Sequence, residues 1–84
     1  MARYTVTWHP ATEQRLAELW MAATNRDAMT AASHEVDTTL GADPYSVGES
    51  RFGRRRVWFV PPLVVIYDVH DDDRLVLVKD IGTC

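Results

Sequence analysis

Cysteine is almost absent from this 84-residue chain, whose one thiol, Cys84, is its last residue. A single cysteine forms no internal disulfide, which predicts a reducing setting. No apolar run approaches the roughly 20 residues that a membrane-spanning helix requires. The start, Met1-Ala2-Arg3-Tyr4, passes directly into a strand pattern with no apolar signal region. Repeats, low-complexity tracts and flexible linkers are also missing. These absences predict one cytoplasmic domain over residues 1–84, with no membrane partner. Basic residues are outnumbered, nine against twelve acidic, for a net charge of −3. That balance excludes a surface that coats nucleic acid generally. His9, His34 and Cys84 lack metal-ligand spacing, so neither a metal nor a cofactor is expected.

What is present is polarised. Glu49 to Val60 holds four arginines against one glutamate, for +3. Asp68 to Arg74 holds four aspartates against one arginine, for −3, and Arg26 to Asp43 has the same balance from one arginine and four acids. Apolar residues make up 46% of the chain, enough for a core, and helix, strand and turn signals exclude global disorder.

Tyr4, Val6 and Trp8 alternate with Arg3, Thr5 and Thr7, the period of a strand with one buried face. His9-Pro10 ends it and suits a helix entry. From Ala11 to Thr24 the residues Leu16, Leu19, Trp20 and Ala23 mark an amphipathic helix. A break at Asn25-Arg26-Asp27 follows, with Asp27 expected to cap a second helix over Ala28–Leu40. Its predicted inner face is Ala28, Met29, Ala32, Val36 and Leu40. Gly41 is the expected C-terminal cap, and Asp43-Pro44 blocks extension. Three β-rich segments close the chain: Val57–Val60, Leu63–Val69 and Leu75–Ile81. Their short connections at Pro61-Pro62 and Asp71-Asp72-Asp73 predict an antiparallel meander. The middle segment is apolar on both faces up to Asp68 and belongs at the sheet centre. The predicted order is β-α-α-β-β-β, an α+β fold.

The candidate site is the arginine cluster Arg51, Arg54, Arg55 and Arg56. Strand geometry sends Arg54 and Arg56 to one face and Arg55 to the other, with Arg51 near from the preceding turn. Guanidinium forks bind phosphate bidentately and stabilise charge developing on a transferring phosphate. They equally protect an edge strand, or pair with Asp71–Asp73 or with the acidic second helix. Lys79 joins this phosphate- or partner-binding set if the register brings it near. His70 is a candidate acid or base. The aspartate run has no glycine-bent ligand loop and is expected to be a solvated hairpin tip. Trp8, Trp20 and Trp58 are assigned to the core or to partner contacts.

The segments LGADPYSVGESR, RRRVWFVPPLVVIYDV and DDRLVLVKDI resemble the RelE/ParE superfamily of type II toxins, sometimes labelled plasmid-stabilisation proteins. The resemblance runs from Tyr4 to Ile81 and is most specific over Val47–Val76. It implies a helical hairpin packed on a curved, mainly antiparallel sheet, and a cognate antitoxin as partner. It also implies a target: one branch cleaves messenger RNA on the ribosome, another inhibits DNA gyrase. In the nuclease branch, basic residues on the sheet act with a Tyr or His near the C-terminus. Arg54 and Arg56, with His70, would fill those roles here; the tail Lys79-Asp80-Ile81-Gly82-Thr83-Cys84 departs from the family pattern in holding no Tyr, His or Arg. A member that keeps antitoxin binding but has lost toxicity is a further alternative.

Overall fold

The computed structural model describes residues 3–83; Cys84 and the Met1-Ala2 start lie outside them. Strand β1 is Thr5–Trp8, helix α1 Pro10–Ala22 and helix α2 Arg26–Ala42. Then come β2 (Glu49–Phe52), β3 (Arg55–Val60), β4 (Leu63–His70), a 3₁₀ turn at Asp71–Asp73, and β5 (Leu75–Thr83). The strands form one sheet in the order β1-β5-β4-β3-β2. Only the β1–β5 pair is parallel. The α+β class and the central place of β4 agree with the sequence.

Local chemistry explains the helix ends. His9 caps α1 through its ring, Nδ1 accepting from Ala11 N at 3.2 Å, and Pro10 takes the first helical position. Asn25, not Asp27, caps α2: its Oδ1 accepts from Ala28 N at 3.0 Å. That side chain starts the helix at Arg26 and leaves Asp27 in the first turn, where a negative charge suits the helix dipole. Gly41 is likewise not the cap. It lies inside α2, buried, and its carbonyl accepts from Tyr4 N at 2.9 Å. The helix stops where Asp43 turns extended ahead of Pro44.

One strand escaped the sequence pattern. The residues of β2, ESRF, are all exposed and carry no apolar alternation. Their pairing with β3 is imposed by the two-residue turn Gly53-Arg54, in which Gly53 adopts φ +57°. A glycine with positive φ at the first turn position matches the twist of paired strands. The sheet therefore has five strands rather than four.

Both helices cover one face of the sheet. Four of the five residues expected on the inner face of α2 are buried, namely Met29, Ala32, Val36 and Leu40. They meet Val60, Leu63, Val65, Tyr67, Val69, Val76, Val78 and Ile81. Leu16 and Leu19 of α1 pack at the margin of this core, whereas Trp20 remains 38% exposed. Polar ties fix the hairpin in place: Thr12 Oγ1 donates to the Lys79 carbonyl at 2.6 Å and Arg15 Nε to the Ile81 carbonyl at 2.8 Å. Trp8 Nε1 donates to Asp37 at 2.7 Å. No helix among the described residues covers the opposite face. Among the described residues no helix is long and apolar enough to cross a membrane.

Candidate functional site

The four clustered arginines take four different environments. Arg51 lies on edge strand β2, exposed, with Nη1 3.1 Å from Glu49. Arg55 sits directly across from Asp68 and meets it with two hydrogen bonds, at 3.0 and 3.3 Å. This cross-strand pair lies on the open face, and the Asp68 contact raises the Arg55 pKa further. Arg54 is at the hairpin tip, where Nη1 donates to His70 Nδ1 at 2.8 Å. Arg56 turns to the covered face beside Tyr67. Its Nη2 donates to the carbonyls of Val47 and Gly48, at 3.2 and 3.1 Å, and its guanidinium lies 5.4 Å from the centre of the Tyr45 ring. Among the described residues, none of the four forms a salt bridge with Asp71–Asp73 or with α2.

Arg56 is thus as much a girder as a charge. Tyr67 joins it from below, its hydroxyl within hydrogen-bond distance of the Pro44 and Val47 carbonyls, 2.9 and 3.1 Å away. Burial pushes the Tyr67 pKa up, and the nearby Arg56 partly opposes this. Gly48, at φ +76°, permits the close approach: a Cβ there would stand 2.8 Å from the Tyr67 hydroxyl and 2.9 Å from the Val57 carbonyl. Among the described residues, buried Arg56 Nε has no hydrogen-bond partner. Together these contacts clamp the loop between α2 and β2 onto the sheet.

Arg54 and Arg56 both line a cleft of about 280 Å³, with Tyr45, Ser50, Gly53, Val69, Asp71 and Asp72. The sequence expected strand alternation to put Arg54 and Arg56 on one face. Arg54 lies instead in the turn before β3, its guanidinium on His70, while Arg56 turns to the covered face, and the rest of this wall was missed. Asp71 is not a bare hairpin tip. Its Oδ2 accepts the Tyr45 hydroxyl at 2.6 Å and its Oδ1 accepts the Tyr4 hydroxyl at 2.7 Å. The hydrogen bond from Tyr45, then that from Tyr4, lowers the Asp71 pKa. The same contact pushes Tyr45 up to about 12, with burial adding to it, and raises Tyr4 as well. The turn that positions Tyr45 is legible: Asp43 Oδ1 accepts from Tyr45 N, and Ser46 Oγ donates to the Asp43 carbonyl. No sequence signal pairs Tyr45 with Asp71, 26 residues away.

The other candidates fall outside this cleft. His70 lies on the open face by the alternation of β4, and because Arg54 can only donate, its Nδ1 lone pair is engaged. Lys79 is the bulged residue of β5, exposed and two strands from β3, about 10 Å by ordinary strand spacing. It does not line the cleft. Among the described residues no three His, Cys, Asp or Glu side chains group in a way that would hold a metal ion.

No family model matches the chain, and no curated protein is similar to it in sequence. Solved structures are similar in fold. The chain superposes over 100% of its length on 94% of a chain from the RelBE2 toxin–antitoxin complex of Mycobacterium tuberculosis, with a TM-score of 0.81 and 17% identity. It superposes over 99% on 96% of a chain from the archaeal RelE–RelB complex of Pyrococcus horikoshii OT3, with a TM-score of 0.71 and 16% identity. The architecture, two helices on a five-stranded mixed sheet, is shared with these chains.

Proposed function

We propose that this chain is the cytoplasmic toxin of a toxin–antitoxin pair, neutralised by an antitoxin that covers the open face of its sheet and the arginine hairpin. The observation that carries the proposal is the fold likeness to chains of two such complexes, nearly end to end in both partners. The open face adds support. Phe59 and Phe52 are 60% and 84% exposed there, an unusual display of large apolar side chains in so small a chain. Arg55 and Arg51 stand beside them as partner contacts. Regulated expression of the chain alone should arrest growth, and co-expression of the neighbouring small gene should restore it and yield a complex. Unchecked growth together with no complex would sink the proposal.

A second proposal, for the target, is endonucleolytic cleavage of messenger RNA on the ribosome rather than inhibition of DNA gyrase. What favours it is that Arg54, Arg56, Tyr45 and Asp71, brought from separate segments, line one cleft. Arg54 takes the phosphate contact, since its guanidinium bonds only His70 among the described residues. His70 then orients Arg54, Arg56 holds the cleft wall, and Lys79 is left to partner contact. Mapping RNA ends after induction tests this. Arrest with intact messengers and impaired supercoiling would transfer the assignment to gyrase.

A further inference from the structure

The loop between α2 and β2 delivers a tyrosine to the arginine cleft. Tyr45 is 47% exposed, lines the cleft with Arg54, and holds its hydroxyl 2.6 Å from an Asp71 oxygen. The second Asp71 oxygen is steadied by Tyr4. Three segments distant in sequence therefore converge to fix one exposed carboxylate beside one exposed hydroxyl. If the contact served only to pin the loop, it would be redundant, because Arg56 and Tyr67 already tie that loop through the carbonyls of Pro44, Val47 and Gly48.

We propose that Asp71 and Tyr45 are the base and the acid of a phosphodiester-cleaving site whose substrate is single-stranded RNA bound through Arg54. This rests on the ribonuclease assignment above. The 2′-hydroxyl oxygen attacks the adjacent phosphorus while Asp71 takes its proton. The P–O2′ bond forms and the P–O5′ bond breaks, and Tyr45 gives its proton to the departing 5′ oxygen. The proton on Asp71 then passes to the tyrosinate across their hydrogen bond. Nothing is consumed, and the products carry a 2′,3′-cyclic phosphate and a 5′-hydroxyl. Arg54 donates to the non-bridging oxygens as charge builds on them. The protonation states fit the roles. Hydrogen bonds from Tyr45 and Tyr4 keep Asp71 ionised, and its contact with Tyr45 keeps that hydroxyl protonated. Two carboxylates, Asp71 and Asp72, offset the two arginines in the cleft, so charge alone does not draw RNA in. A site so balanced depends on the ribosome to present the strand.

The test uses the full chain in a translation extract programmed with one messenger, with cleavage positions and end groups mapped. Tyr45→Phe and Asp71→Asn should each lower cleavage by about 100-fold or more, the usual range for a lost acid or base. Tyr4→Phe, which removes only the other hydrogen bond to Asp71, should stay within about tenfold of wild type. Melting temperatures separate these losses from unfolding. A messenger with a 5′-bridging sulfur at the mapped position supplies a leaving group that needs no acid. It should rescue Tyr45→Phe and leave Asp71→Asn slow. Full cleavage by Tyr45→Phe, or equal losses in Tyr45→Phe and Tyr4→Phe without sulfur rescue, would overturn the pair while ribonuclease activity stands. A wild-type chain that cuts nothing removes the ribonuclease assignment and the pair together, and leaves the toxin proposal to its growth test.

Discussion

The two faces of this sheet are built from the same strands in alternation, yet they differ sharply. Under the helices, Leu63, Val65, Tyr67 and Val69 of β4 are at most 3% exposed. On the other side of the same strand, Val64, Ile66, Asp68 and His70 are only half-buried. The neighbours follow suit, with Val76 and Val78 buried against Leu75 and Leu77 half-exposed, and Val60 buried against Phe59 exposed. The covered face is where the chain obtains its stability. The open face carries apolar side chains that the isolated fold leaves in water, so their payoff lies in contact with something else.

Truncation beneath the helices should show the largest effect. Leu40 is fully buried between α2 and the sheet. Leu40→Ala should cost about 2–5 kcal/mol, a large share of the roughly 5–15 kcal/mol typical of a domain. Chemical denaturation measures it. A cost near zero would mean that the core is not where the covered face places it.

Arg56, on the covered face, and Arg54, at the exposed hairpin tip, sharpen the contrast. If the former is chiefly a girder, Arg56→Met should destabilise by about 1–3 kcal/mol, because the Val47 and Gly48 carbonyls lose a charged donor. Arg54→Met, at the exposed tip, should change stability by no more than about 0.5 kcal/mol. Equal costs for the two would erase the distinction between a structural and a functional arginine. The sequence alone could not draw it. It placed Arg54 and Arg56 together through strand alternation, but which guanidinium meets carbonyls depends on how the Pro44–Gly48 loop folds back.

The same limit governed the rest of the fold. The period of β4 and the helical spacing of Met29, Ala32, Val36 and Leu40 were legible because burial on one side writes a pattern into the sequence. Strand β2 was not, because an exposed edge strand has no buried side to encode. The Asp71 contact was invisible for a different reason. It joins Tyr4, Tyr45 and Asp71, which are brought together only once β1 has paired with β5 and the loop has closed.

On the open face the expected stability effect is smaller still. Phe59→Ser should shift stability by about 0.5 kcal/mol or less, since the ring is already 60% exposed. Its effect should appear in antitoxin binding instead, where loss of a central aromatic contact typically costs about 2 kcal/mol or more. Titration calorimetry with the purified antitoxin reads this directly. A variant that unfolds, or one that binds as wild type does, would break the division between a face that stabilises and a face that binds.

The smallest effect comes from the Asp71 clamp, and its sign depends on pH. Asp71 has a folded pKa below its ordinary 3.8 because Tyr45 and Tyr4 donate to the ionised form. Its contribution is therefore complete above pH 3.8 and is lost as the pH falls through the lowered folded value. Tyr45 works in the opposite direction. Raised from 10.0 to about 12, it contributes fully below pH 10 and loses that contribution as the pH climbs toward 12. The melting temperature of wild type should exceed that of Asp71→Asn near neutrality by a few degrees at most, since the carboxylate is exposed. The two curves should converge in acid, where wild type gives up the clamp and the amide has none to lose. Parallel curves from pH 3 to pH 7 would show that the two tyrosines gain nothing from the charge they hold.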